Sequence, residues 1–173
     1  MKETLNYYCK YNIWANQKMA DFFLNKAEKL LSAIVENSFP SIRKTALHIL
    51  SAERSWLSRM QLDTSRNKSL QDEFESTQDI FNSLVQCSKE FQNFVEKQSE
   101  FFLENTLSYN TWDGTPWEMQ PKIMIHHCMN HSTYHRGQLI TMARQLGMKE
   151  GIPSTDILFF WRENAAGNVS NRI

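Results

Sequence analysis

From Pro121 to Leu146 the chain holds a single glycine, Gly137, and no second proline, and its apolar residues return at helical spacing. Proline suits the first position of a helix, where its missing N–H has no intrahelical bond to lose. Gly147 stands where a glycine commonly closes a helix. At about 100° per residue, Met124, Cys128, Leu139, Met142 and Leu146 line up as one apolar stripe. Such a stripe has to be covered by other elements, and the rest of the chain supplies helices to do it.

A first helix is predicted over about residues 3–26, with Leu5, Tyr8, Ile13, Met19, Phe22 and Phe23 as its apolar face. A second follows Pro40, with Ser41 as N-cap and Ile42, Ala46, Ile49, Leu50, Trp56, Leu57 and Met60 at helical spacing, ending near Leu62. Asp63 to Lys68 read as a polar loop. A third helix is expected from near Ser69, with Phe74, Ile80, Phe81, Leu84, Phe91, Phe94 and Val95 on its core face. Between Phe102 and Gln120 the pattern turns to weak alternation with an Asp113-Gly114 turn signal, which predicts an ordered loop or small hairpin across an end of the molecule. Pro153-Ser154-Thr155 opens a short last helix that would bury Ile157, Leu158, Phe159 and Trp161. No repeat or linker interrupts this order. The fold class is therefore all-α, a four-helix bundle with a short C-terminal helix and a loop or hairpin before the fourth long helix, as one domain over residues 1–173.

The histidines carry the chemical signal. There are five, and His126, His127, His131 and His135 all fall on the predicted fourth helix. His131 and His135 sit inside its apolar stripe, one turn apart on one face. A buried imidazole without a partner costs on the order of 1–3 kcal/mol, so this pair needs hydrogen bonds, water or a metal ion. The i, i+4 spacing is the one that lets two imidazoles of a single helix converge on one ion. His127 is too far along the axis from His135 to join it, since eight residues span about 12 Å. His126 points away from the stripe. His48, on the second helix beside Thr45, Ala52 and Ser55, completes the best available set: His48, His131 and His135.

Composition narrows the partners. Lys+Arg and Asp+Glu both number 19, without the basic excess that phosphate contacts demand, so nucleic acid is not an expected partner. No apolar run is long enough to span a bilayer, and no basic-then-apolar leader opens the chain. Three scattered cysteines, Cys9, Cys87 and Cys128, argue against a disulfide framework and for a reducing cytoplasm, with each thiol acting as a small buried hydrophobe.

His131-Ser132-Thr133-Tyr134-His135-Arg136-Gly137-Gln138 resembles the His-x-x-x-His-Arg-Gly-Gln signature of the DinB-like superfamily, which includes YfiT-type proteins. Tyr11 through Asn16 resembles the family's first-helix pattern, Ser41 through Trp56 its second helix, and Pro153 through Phe160 its C-terminal element, in the expected order along nearly the whole chain. The resemblance implies an up-down-down-up bundle and one divalent metal ion per chain, zinc or nickel, held by His48, His131 and His135. It also implies a homodimer. Some relatives are metal-dependent thiol transferases that join a low-molecular-weight thiol to an electrophilic small molecule. Three neutral histidines leave coordination positions open, and a thiol bound there loses its proton to become the nucleophile; a bound water is the hydrolytic counterpart. The alternative is a non-catalytic metal-binding bundle, or an interaction module linked to stress.

Around the triad, Glu53 is read as a solvated or capping carboxylate ahead of an acceptor for a metal-bound histidine. Gln138 would line the cleft or bond to the backbone. Arg136 reads as a structural ion-pair partner, Gly137 as a site of close helix packing, and Cys128 as core. Tyr109, Trp112 and Trp117 would wall a pocket or pack the loop.

Overall fold

The computed structural model describes residues 1–63, 70, 73–111 and 113–169. Four long helices form the body: α1 (Lys2–Phe23), α3 (Ile42–Gln61), α4 (Thr77–Lys97) and α6 (Pro121–Gln145). Short helices α2 (Glu28–Leu31) and α5 (Glu100–Glu104), an antiparallel hairpin of β1 (Leu107–Asn110) and β2 (Pro116–Met119), and α7 (Ile157–Val169) complete it. No helix among the described residues is long and apolar enough to cross a membrane.

The starts follow local chemistry. Ser41 accepts the Lys44 N–H at 3.1 Å, and Pro121 occupies the first turn of α6. At Ser76 a reciprocal capping box with Asp79 opens α4, later than the start expected near Ser69, a residue outside those described. Phe74 accordingly lies ahead of α4, where its carbonyl accepts from Arg43 at 2.6 Å and its ring packs on the core. The short α2 and α5 have no counterpart in the sequence reading, since four or five residues are too few to display a helical period. The expected hairpin is present, pairing Leu107 with Met119 and Tyr109 with Trp117, and Gly114 turns it at φ +85°.

Side-chain contacts give the helix directions. Phe23 stacks on Phe81 at 5.2 Å, while the Lys2 N–H reaches Glu100 at 3.0 Å beyond the far end of α4, so α1 and α4 are antiparallel. His48 meets His135 at 4.6 Å and Trp56 meets His127 at 5.0 Å, so α3 and α6 are antiparallel. Tyr8 meets His126 at 6.0 Å and Asn16 meets Arg136 at 2.9 Å, so α1 and α6 run the same way. The bundle is up-down-down-up. α3 and α4 are then parallel.

A polar layer divides the core in two. One apolar cluster gathers Phe23, Ile49, Phe81 and Met142, the other Leu5, Leu57, Phe91 and Met124. Between them, four helices contribute Asn12, Asn16, Glu53, Ser88, Ser132 and Arg136, all buried. The α1 face thus differs from the expected one: Asn12 and Asn16 are buried, while Ile13 is half-exposed. At α7 the departure is larger. Phe160 is buried, but Ile157, Leu158, Phe159 and Trp161 are 41–57% exposed. A lone short helix has one face to offer its bundle, and Phe160 takes it against Tyr11 and Trp14.

Candidate metal centre

Glu53 departs most from its expected role. It is neither solvated nor a partner of the histidines. It lies 0% exposed and accepts from Asn12 at 2.8 Å, Asn16 at 3.0 Å, Ser132 at 2.9 Å and Ser88 at 2.6 Å. Arg136, also fully buried, donates Nη1–H to the carbonyl oxygens of Asn12 at 2.6 Å and Asn16 at 2.9 Å, and Nη2–H to Thr133 at 2.8 Å. A carboxylate only accepts and a guanidinium only donates, so each asparagine amide standing between them has one allowed orientation. Arg136 is structural as expected, but its charge reaches Glu53 through two asparagines instead of a direct ion pair.

One residue before Arg136, about 100° around α6, the helix presents His135 to the opposite seam. There the three expected histidines meet. His48 Nε2 lies 3.0 Å from His131 Nε2, and His135 Nε2 lies 3.1 Å from the same atom. One ligand atom from each falls within 4.8 Å of the others. His135 is buried; His48 and His131 are half-buried, with Ala52 and Ser55 as small neighbours along α3. Phe39, from the residues leading into α3, stacks on the His48 ring at 3.9 Å.

Protons decide what this arrangement can do. A neutral imidazole carries one N–H. His135 Nδ1 faces Gln138 Oε1 at 2.7 Å, which places the His135 proton on Nδ1 and turns the Nε2 lone pair inward. Gln138 therefore orients the imidazole, a role reached by the i, i+3 spacing on one helix. His131 Nδ1 is buried with no hydrogen-bond partner. Burial holds all three histidines below their ordinary range, His48 and His131 to about 4, and the neighbouring imidazoles push His48 and His131 further the same way. Three neutral imidazoles converging on one point are a ligand set that a cation can use. Nitrogens at 2.0–2.1 Å from a tetrahedral ion stand about 3.4 Å apart, close to the spacings seen. The residues fit a divalent ion.

The remaining expectations resolve individually. His127 stays outside the set, exposed, with its ring 5.9 Å from that of His131. His126 lies on another face against Tyr8. Cys128 is fully buried, and burial holds its thiol well above the ordinary range, so it is core. Close packing does not explain Gly137: a Cβ built there meets nothing within 4 Å. Trp117 is 55% exposed, and Tyr109 packs on Trp56 at 5.9 Å; Trp112 lies outside the described residues. Phe39 had no signal of its own, because a residue just before Pro40 carries no helical phase.

Comparison with known proteins agrees with the fold. A model of the DinB family matches residues 1–166. Protein DinB of Bacillus subtilis (strain 168) is 23% identical over 153 residues, covering 80% of this chain and 83% of that protein. The crystal structure of a DinB-like protein from Bacillus cereus ATCC 10987 is similar at a TM-score of 0.63 and 21% identity, over 84% of this chain and 91% of that one.

Proposed function

The chain belongs to the DinB family, and from that premise we propose that His48, His131 and His135 hold one divalent metal ion, zinc or nickel, at the centre of a thiol-activating enzyme site. The observation that carries the proposal is the convergence of three imidazole Nε2 atoms, at 3.0 and 3.1 Å, with His131 Nδ1 buried and without a partner. An ion held there would supply an open coordination position that lowers the pKa of a bound thiol or, in the hydrolytic variant, of a bound water.

The chain's own residues do the rest. Gln138 keeps the His135 lone pair turned inward. Phe39 covers one face of His48 and excludes water from it. No fourth His, Cys, Asp or Glu joins the set among the described residues, and structural sites normally close with four protein ligands. The site also lies beside the polar layer instead of replacing it, so the bundle has its own interior bonds without the metal. Both points favour a catalytic over a purely structural ion. The homodimer belongs to the same proposal, supported by the exposed Ile157, Leu158, Phe159 and Trp161 and checked by light scattering.

Elemental analysis of untagged wild type beside His135→Ala tests the core of the reading. About one divalent ion per chain, absent from a folded variant, is the expected result. Negligible metal in both proteins after incubation with zinc and nickel salts would falsify it. Spectra of the cobalt-substituted protein then separate thiol from water, because thiolate coordination adds a charge-transfer band.

A further inference from the structure

α3 carries three arginines, and two of them have a carboxylate. Arg43 pairs with Glu28 at 3.2 Å and Arg54 with Glu73 at 3.0 Å. Arg59 has no ion-pair partner among the described residues. Its guanidinium instead lies over two rings, 4.5 Å from the Trp56 centroid and 5.1 Å from that of Tyr109 on the hairpin. It is half-buried, and desolvation holds its pKa below the usual arginine value. A half-desolvated cation with no counter-ion among the described residues carries a cost that an arriving anion removes.

Its placement points toward the histidines. Positions 48, 52, 55 and 59 step by four, three and four, so His48, Ala52, Ser55 and Arg59 share one face of α3. Helical side chains lean toward the N-terminus, and the seat of Arg59 over Trp56 shows that lean in the direction of His48. The two residues between are small and half-exposed. Across the seam, α6 lines up His127 between the two ends: its ring is 5.9 Å from that of His131 and 5.0 Å from that of Trp56. The Arg59 charge is felt at His127, where, after desolvation, it helps hold the imidazole below its ordinary range. One face thus runs from the triad, past Ala52 and Ser55, to a positive charge preset on two aromatic rings.

We propose that Arg59 is the specificity-determining residue of the triad's site, binding a carboxylate or phosphate at the far end of a substrate whose near end reaches His48, His131 and His135. This rests on the metal-site reading above and narrows it to anionic, elongated substrates. Trp56 and Tyr109, whose rings are inclined at 67° to each other, flank the guanidinium, and its planar fork can meet a carboxylate with two parallel N–H bonds, a geometry that lysine does not reproduce.

The test titrates cobalt-loaded protein with ω-mercapto carboxylates, from mercaptopropionate to mercaptoundecanoate, against the matching mercapto alcohols. The thiolate band is the readout. Wild type should bind the longer carboxylates about tenfold more tightly than their alcohols, with no such preference for mercaptopropionate, which is too short to span the face. Arg59→Gln should erase the preference while leaving alcohol affinity unchanged, and Arg59→Lys should keep part of it. A preference that survives in Arg59→Gln overturns the proposal. If no thiol produces a band, the thiol reading fails alone, and the anion site is read on metal-free protein from tryptophan emission. Inorganic phosphate or acetate should then shift the emission of wild type but not of Arg59→Gln, and whichever acts at lower concentration identifies the preferred anion. No shift in wild type with either salt also overturns the assignment.

Discussion

His135 and Arg136 are consecutive residues that face two different kinds of polar cluster. On one flank of α6, Arg136 joins a closed network in which Glu53 accepts four hydrogen bonds and two asparagines pass donors one way and acceptors the other. On the other flank, His135 joins two imidazoles whose Nε2 atoms face each other at 3.0 and 3.1 Å. Both clusters place polar groups in or against the core of a small bundle. The first is complete within the chain except for Arg136 Nε, which is buried and unpaired. The second brings together three ligand nitrogens in a set that fits a metal ion. Polar burial alone therefore says little about function; what distinguishes the two clusters here is that one joins opposite charges through amides, while the other converges three ligand nitrogens on one point.

The largest effect should come from unbalancing the closed cluster. Arg136→Met leaves Glu53 buried with its asparagine relays unpaired. We expect a loss of about 3–5 kcal/mol in urea denaturation; a loss under about 1 kcal/mol would mean the network contributes packing alone. The open cluster should answer differently. Gln138→Leu frees the His135 ring and removes its Nδ1 acceptor, and metal affinity measured by competition with a chelator should fall about 10–100-fold. Metal-free stability should change far less than in Arg136→Met, and equal losses in the two variants would erase the distinction.

Acid sharpens the comparison further. The folded-state values of His48 and His131, near 4, lie below the ordinary histidine range, so the unfolded chain binds more protons between pH 4 and about 6.5. The contribution of these groups to metal-free stability is complete above about pH 6.5 and is lost as pH falls toward 4. Urea midpoints at pH 7 and pH 4.5 should show a drop that is smaller in a His48→Ala, His131→Ala double variant. An equal drop in both proteins would place the acid sensitivity elsewhere. The smallest change is expected at the neighbouring residue that belongs to neither cluster. Gly137 sits mid-helix with open space over its Cα, so Gly137→Ala should raise stability by about 0.5–1 kcal/mol in thermal unfolding without altering metal content.

Much of the molecule was legible residue by residue. Pro121 and Ser41 marked helix starts, Gly147 marked an end at φ +83°, and Asp113-Gly114 marked the hairpin. His131 and His135 were legible because i, i+4 on an apolar stripe is a property of one helix, and His48 because no other histidine lies off that helix. These signals are local: backbone periodicity and capping depend on neighbours within about one turn. Gln138, Glu53, Asn12 and Asn16 could be placed on faces but not given partners. Whether Glu53 meets water, a histidine or an asparagine depends on the register of α3 against α1 and α6, and no single helix encodes that register. The exposure of Ile157, Leu158, Phe159 and Trp161 and the seat of Arg59 on Tyr109 are of the same kind. An apolar residue predicts that burial is favourable, not that the fold has a surface left to bury it. The chain's spacing thus carried the helices and the triad, while the docking of helices against one another settled which polar residues close into structure and which stay open to a ligand.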